Sequence, residues 1–158
     1  MFIVDIDKWT NPETGDIYND WFTPVWRWRR AFFNDFQCRM DWCYQPFEKA
    51  NHNPIAAVNG NKSNSIVYYS VKAGKEITLD ASASSDPDGD DLEYLWWNYF
   101  ESGNYPKKID LKNVNKDVLK FKIPEDASGK QIHIILEIKD KNEIVSMYDY
   151  RRIIIDIE

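Results

Sequence analysis

The chain has 158 residues, 43% of them hydrophobic, which is enough to bury one main core but hardly two. Its net charge of -6 disfavours a nucleic-acid partner, because such partners are bound mostly through clustered lysines and arginines. No apolar run approaches the roughly 18 residues that a membrane-spanning helix needs, so we expect no membrane span.

Residues 1–25 predict an irregular linker or the remnant of a longer protein. The segment starts with MFIVDIDKWTNPETG, which has no basic region and no sustained apolar run. It is therefore not a secretory signal as it stands.

Residues 26–50 predict a helical extension. From Arg30 onward, apolar residues recur at helical spacing, which predicts one amphipathic helix from Arg30 to about Tyr44. An apolar helical face has to be buried, so we expect this helix to pack on the domain that follows. The apolar positions are Phe33, Phe36, Met40 and Cys43.

Residues 51–158 predict a β-sandwich. After the stretch NHNP, the apolar period changes from near 3.6 to 2, and KEITLDA, DVLKFKIP and QIHIILEIKD alternate as half-buried strands do. Further candidate strands are PIAAVN, SIVYYSV, DLEYLWW, KKIDLKN and YRRIIIDI, which turn residues separate. Seven or eight short strands at this spacing predict an antiparallel sandwich, so the expected fold class is mainly β with an N-terminal helical extension.

The strand DLEYLWW divides its aromatic residues between two faces. Tyr94 and Trp96 share one face, which we expect to be the core face, and Trp97 lies on the other. Seven tryptophans are more than a core of this size needs, so Trp97, with Tyr99 and Tyr105 beyond it, could form an exposed aromatic surface. Alternatively, the N-terminal helix covers Trp97.

The stretch SSDPDGDDLEYLWW contains five carboxylates, which have two interpretations. In the first, Gly89 supplies the positive φ of a turn and the Asp side chains bond the turn's own backbone. In the second, Asp86, Asp88 and Asp140 surround a hard cation such as calcium, which takes six to eight oxygen ligands.

The sequence contains no recognisable catalytic constellation. Neither paired carboxylates across a cleft nor a nucleophile beside a base can be identified. His52 lies between the predicted helix and the first strand, and alternation places His133 opposite the apolar face of its strand, where we expect a surface or interface histidine. We therefore expect no enzymatic activity in this chain.

The stretch DASASSDPDGDDLEYLWW resembles the signature of PKD-type immunoglobulin-like domains, some of which bind calcium at this turn. A longer match is carried by RWRRAFFNDFQCRMDWCYQPFEKANHNP and YLWWNYFESGNYP. From about Trp26 to the end, the chain is similar to the C-terminal region of the bacterial cellulose-binding protein family. The resemblance implies a nucleoside-hydrolase-like domain upstream, whose activity would lie outside this chain, and residence outside the cytoplasm.

Two functions remain open at this point. The first is a non-catalytic module that binds a polysaccharide such as a β-glucan, with Trp97, Tyr99 and Tyr105 as the binding residues. The second is a structural module that docks onto the hydrolase-like domain. Sugar rings stack on flat aromatic faces, so the exposure of these three rings distinguishes the two.

Overall fold

Six strands between residues 67 and 157 form the sandwich in the computed structural model, which describes residues 6–158. Two earlier strands, β1 and β2, form the hairpin described below. The strands of the sandwich are β3 Val67–Val71, β4 Glu76–Asp80, β5 Leu92–Asn98, β6 Val118–Lys122, β7 Gln131–Asp140 and β8 Tyr148–Ile157. The larger sheet has the order β3-β8-β7-β5, and the smaller sheet consists of β4 and β6. Both sheets contribute to one apolar core.

The predicted mainly β sandwich is confirmed, with two differences in its strands. The segments PIAAVN and KKIDLKN form no strand of their own. Ile55 and Val58 each make only an isolated bridge, because the backbone turns at Asn59 and Gly60, whose φ angles are positive. In KKIDLKN, the amide of Ile109 bonds the side chain of Asn98 rather than a neighbouring strand.

One strand pairing is parallel, where we expected an antiparallel sandwich throughout. Strand β3 runs parallel to β8 from the pair Val67–Ile153 onward, while the pairs β5–β7 and β7–β8 are antiparallel. Between β3 and β8 the chain forms β4, β5, β6 and β7. Parallel strands cannot be joined by a tight turn, so they need a long connection of this kind.

The core is built around Trp96, as the alternation predicted. Trp96 is 1% exposed, and its indole nitrogen donates to the carbonyl of Lys116 at 2.8 Å. Alternating residues of β7 and β8 pack beside it. These are Ile132, Ile134, Leu136, Ile138, Ile153, Ile155 and Ile157.

Helix α1 spans Thr23–Asp41, so it begins and ends earlier than the predicted limits of Arg30 and Tyr44. A proline follows Thr23 in the first turn, where its missing amide hydrogen costs no helical hydrogen bond. The prediction rested on apolar residues at helical spacing, and these begin only at Phe33. The helix therefore starts before the first residue that this spacing could identify.

The expectation that Phe33, Phe36 and Met40 are buried is wrong. Phe36 is 63% exposed, and the other two are similarly exposed. The helix instead packs through Cys38, which lies in one cluster with Val145 and Met147. Nearer its N-terminus, Arg27 and Trp28 contact aromatic rings of the sandwich.

A β-hairpin precedes α1 in a segment that we expected to be irregular. Its strands are β1 Asp7–Thr10 and β2 Ile17–Asp20, and the turn between them contains Gly15 with a φ of 78°. Trp9 stacks on Tyr18 across the pair at a ring distance of 5.6 Å, and Tyr18 lies 5.9 Å from Trp26 of α1. Cross-strand aromatic contacts of this kind stabilise short hairpins.

Candidate functional site

The solvent side of α1 carries several exposed apolar side chains, with the exposed Arg29 among them. Positions 25, 32, 36 and 40 lie on one side of a helix with 3.6 residues per turn. Phe32 is 58% exposed and Met40 is 51% exposed. The α1 apolar face, as we name it, comprises Phe22, Val25, Phe32, Phe33, Phe36 and Met40, all of them exposed.

The opposite side of α1 covers two of the three predicted carbohydrate-binding residues. The guanidinium of Arg27 lies 5.2 Å from the ring of Trp97 and 5.0 Å from that of Tyr99, while Trp28 contacts both rings. Arg27 also pairs with Asp7 at 3.4 Å and with Glu101 at 3.3 Å. The alternative in which the helix covers Trp97 is therefore the one that the contacts favour.

The structure brings Trp97 and Tyr99 together but places Tyr105 elsewhere. The two rings are 5.4 Å apart at an angle of 52°, so they are not coplanar, and both are partly buried. Tyr105 is 6% exposed, and its hydroxyl bonds Asp126 at 2.6 Å. A glycan site formed by these three residues stays a prediction, and the geometry gives it no flat exposed platform.

A cleft that sequence reasoning missed lies on the outer face of the larger sheet. It has a volume of about 530 Å³, and its lining includes Leu95, Glu137, Lys139 and Tyr148. The carboxylate of Glu137 has no hydrogen bond or ion pair within residues 6–158, and burial raises its pKa to about 7. The alternation of residues along β7 could have indicated this cleft, because it places Glu137 on the outer face of the strand, away from the core isoleucines.

The acidic turn is held mainly by its own hydrogen bonds. Asp86 accepts from the amides of Asp88 and Asp90 at 2.8 and 3.2 Å, and Asp88 accepts from the amide of His52 at 2.7 Å. Asp140 is fully buried and accepts from Asn51 at 2.9 Å. These contacts are those expected of turn-forming carboxylates.

Two observations bear on the predicted calcium site. Burial raises the pKa of Asp140, and the negative charge of Asp86 adds to this effect, so the two carboxylates are close enough to repel. Asp86 Oδ2 and Asn51 Oδ1 are buried without a hydrogen bond in the described part of the chain. Over the same residues, no three His, Cys, Asp or Glu side chains are arranged to hold a metal ion. Calcium binding by Asp86, Asp88 and Asp140 therefore stays a prediction.

His133 is buried, so it is not a surface histidine, which was one of the two places expected for it, the other being an interface. It is 3% exposed, its Nδ1 bonds Arg152 at 2.6 Å, and its Nε2 bonds Gln131 at 2.7 Å. Burial, and then the charge of Arg152, lower the pKa of His133. Alternation correctly placed it on the outer face of β7, where side chains of β7 and β8 bond both of its ring nitrogens.

Comparison with known proteins identifies relatives of the domain. Residues 76–157 match the family model described as cellulose-binding protein Sde0182, C-terminal domain. No curated protein matches the chain. A nucleoside hydrolase-related protein from Saccharophagus degradans, described as associated with carbohydrate metabolism, is 40% identical with a TM-score of 0.81. The match covers 84% of this chain and 32% of that protein, so the chain spans about a third of its length.

Two solved structures show weaker likeness. The PKD domain of human KIAA0319 aligns with a TM-score of 0.44 at 10% identity, over 72% of this chain and 89% of that domain. The endo-fucoidan hydrolase MfFcnA4 aligns with a TM-score of 0.42 at 18% identity, over 68% of this chain and 14% of that enzyme. In residues 6–158, no helix is both long and apolar enough to cross a membrane.

Proposed function

Because the chain belongs to the family of cellulose-binding protein Sde0182 C-terminal domains, we propose that it is a non-catalytic accessory domain that docks onto a nucleoside-hydrolase-like region. The exposed α1 apolar face is the observation that carries this proposal. Carbohydrate-associated relatives of this kind favour an extracellular or periplasmic location.

The α1 apolar face is unusual because the helix already has a packed side. Cys38, Arg27 and Trp28 attach α1 to the sandwich and the hairpin, so the exposed phenylalanines are not needed for that attachment. So many large apolar side chains exposed on one side of a helix favour an interaction site. Aromatic residues and methionine are also the types enriched at the centres of protein interfaces.

The size of the Saccharophagus degradans relative indicates the kind of partner. About two thirds of that nucleoside hydrolase-related protein lies outside the match, which covers 32% of it. A region of this size is large enough to cover a helix of 19 residues. Docking through α1 would also leave the acidic turn and the edges of the sandwich free.

The docking proposal can be tested by measuring association with a separately expressed nucleoside-hydrolase-like region of the Saccharophagus degradans protein. We expect the double substitution Phe32→Ala and Phe36→Ala to weaken binding by about thirtyfold or more, since each truncation at an interface centre costs upward of about 1 kcal/mol. The matched control is Tyr68→Ala, which removes an exposed aromatic of strand β3. Absence of association with the parent chain, or equal loss in the control, would contradict docking through α1.

A second candidate function is binding of a β-glucan, and the cleft on the outer sheet face favours it. Leu95 and Tyr148 offer apolar surface there, while Glu93, Glu137 and Lys139 offer groups that can bond sugar hydroxyls. The sequence-predicted set of Trp97, Tyr99 and Tyr105 is the competing location.

A pull-down on insoluble cellulose separates the two locations. If the cleft binds, Tyr148→Ala should abolish retention, while Trp97→Ala combined with Tyr99→Ala should leave it intact. The reverse result would assign binding to the predicted aromatic residues. If the parent chain is not retained, glucan binding is rejected and the docking proposal is unaffected, because its assay contains no glycan.

A further inference from the structure

Glu137 lies in the cleft on the outer face of the larger sheet, at a position that strand register fixes. It is paired with Leu95 across β5 and β7, and the pair formed by Lys139 and Tyr148 follows on the same outer face. All four residues line the cleft of about 530 Å³. Their side chains therefore meet on one side of the sheet and in one space.

The carboxylate of Glu137 can be reached from this cleft. Its oxygens have no hydrogen bond within residues 6–158. They are nevertheless not among the side-chain atoms of that range that are both buried and without a hydrogen bond. Because they are unbonded but not sealed off, these oxygens keep accessible surface, and a ligand in the cleft can contact them.

The cations in the cleft wall are engaged with other acids. Lys139 Nζ bonds a carboxylate oxygen of Glu93 at 2.5 Å, and Arg30 forms an ion pair with Glu13. Burial raises the pKa of Glu137 to about 7, and the opposing effect of Lys139 does not cancel this rise. When it is ionised, Glu137 therefore carries a negative charge that the fold does not fully compensate.

Two tyrosines surround Glu137 on the side of β8. Burial raises the pKa of Tyr148 and of Tyr150, and the negative charge of Glu137 adds to the rise in both, so both lie near it. Their rings are parallel to within 6°. The remaining cation of the lining, Lys141, is exposed, and its charge acts on Glu93 rather than on Glu137.

We propose that this cleft binds the ammonium group of an amino sugar through Glu137 and the ring of Tyr148. A carboxylate with accessible, unbonded oxygens forms charge-assisted hydrogen bonds with an ammonium group, and the face of a tyrosine ring attracts a cation. Leu95 adds apolar surface for the body of the ligand, and about 530 Å³ is within the range of small-molecule pockets. A relative associated with carbohydrate metabolism favours an amine carried by a sugar ring.

Glucosamine hydrochloride is the probe, and glucose with an equal concentration of sodium chloride is the matched control. Glucosamine should raise the melting temperature of the chain, because a ligand that binds only the folded state stabilises it by mass action. Glucose has the same ring without the charge, so it should shift the melting temperature little or not at all. Calorimetric titration then gives the affinity.

Two pairs of substitutions test the two contacts. Glu137→Gln keeps the size of the side chain and should lower glucosamine affinity about tenfold or more, while Glu143→Gln, which removes an exposed charge nearby in the chain, should leave it unchanged. Tyr148→Leu should weaken binding about threefold, whereas Tyr148→Phe, which keeps the ring face, should bind as the parent does. The melting temperatures without ligand verify that each variant is folded.

A pH series distinguishes pairing with a charged Glu137 from a hydrogen bond to the neutral acid. Cyclohexylammonium chloride is the probe here, because an alkyl amine like that of lysine stays protonated over this range. Its affinity should rise about tenfold or more from about pH 5.5 to about pH 8, as Glu137 ionises. Glu137→Gln should show no such rise. This comparison separates Glu137 from the other charged or titratable groups around it, which are Glu13, Arg30, Glu93, Lys139, Tyr148 and Tyr150.

Titration with chitosan oligosaccharides distinguishes the source of the amine. Binding of these fragments as well as glucosamine assigns the site to a glycan-borne amine, and binding of glucosamine alone assigns it to a free amino sugar. The proposal is overturned if glucosamine acts no more strongly than glucose with salt, or if Glu137→Gln binds as the parent does. The inference shares the cleft with the β-glucan proposal but does not rest on it, because retention on cellulose is measured without any amine.

Discussion

Trp96 contributes to stability through both its burial and its hydrogen bond. Its ring is 1% exposed, and its indole nitrogen donates to the carbonyl of Lys116. Trp96→Ala should lower the free energy of unfolding by roughly 3 to 5 kcal/mol, since it leaves a large cavity. Urea denaturation measures this change. Trp21→Ala, which removes a ring that is 69% exposed, should change stability by only about 0.5 kcal/mol, and equal losses would contradict the assigned core.

Glu137 should make the stability of the chain depend on pH. Burial raises its pKa to about 7 from 4.5, so the folded state binds a proton that the unfolded chain releases between these values. The contribution of Glu137 to stability is therefore present below its unfolded pKa and is lost as the pH rises toward 7.

The measurement is the melting temperature from about pH 5 to about pH 8 for the parent and Glu137→Gln. Relative to the parent, the variant should gain stability as the pH rises. Glu143→Gln, at an exposed position, should follow the parent throughout. A pH-independent difference between parent and Glu137→Gln would mean that Glu137 does not titrate in this range.

At the scale of elements, the acidic turn between β4 and β5 provides a test for calcium. If Asp86 and Asp140 share a cation, calcium should raise the melting temperature relative to chelator, because it relieves their repulsion and engages two buried oxygens. Asp86→Asn should reduce this shift, whereas Asp16→Asn in the distant hairpin turn should not. Identical melting in calcium and in chelator would identify the carboxylates as turn formers alone.

Strands were easier to predict than the side on which the helix packs. Alternation predicted β4, β6 and β7, and it placed Trp96 in the core, because one face of each strand meets a uniformly apolar environment. The apolar spacing of α1 was also correct, but the direction of its apolar face was not. The helix turns Arg27 and Trp28 toward the aromatic rings of the sandwich, so its phenylalanines face solvent. The sequence of the helix alone does not indicate which surface of the sandwich it will contact.

At the scale of the whole molecule, α1 and the hairpin form the less strongly attached part. They contact the sandwich through a few side chains, including Trp28 and Cys38, whereas β7 and β8 are hydrogen-bonded to each other along most of their length. Amide hydrogen exchange should therefore be faster in α1 than in β7. Addition of the nucleoside-hydrolase-like region should slow exchange in α1 selectively. Uniform exchange rates, or slowing confined to β7, would contradict this arrangement.

The candidate sites could be predicted only in part for a related reason. The acidic turn is local in sequence, so its residues were identified together. The cleft around Glu137 is lined by Glu13, Leu95 and Tyr148 from distant parts of the chain, so it becomes visible only in three dimensions. Likewise, Tyr105 follows Trp97 closely in sequence, yet it is buried beside Asp126.

The position of β8 has a consequence for how the chain folds. It lies between β3 and β7, and it follows both of them in the chain, so neither the parallel pair nor the core isoleucines can be completed before it is present. During synthesis, β3 would therefore remain an unpaired edge while almost all of the domain is already made. Non-local pairing of this kind slows folding and leaves apolar strands open to aggregation. Yield in cells should consequently respond more to changes in β8 than to changes of similar energetic cost in β4 or β6.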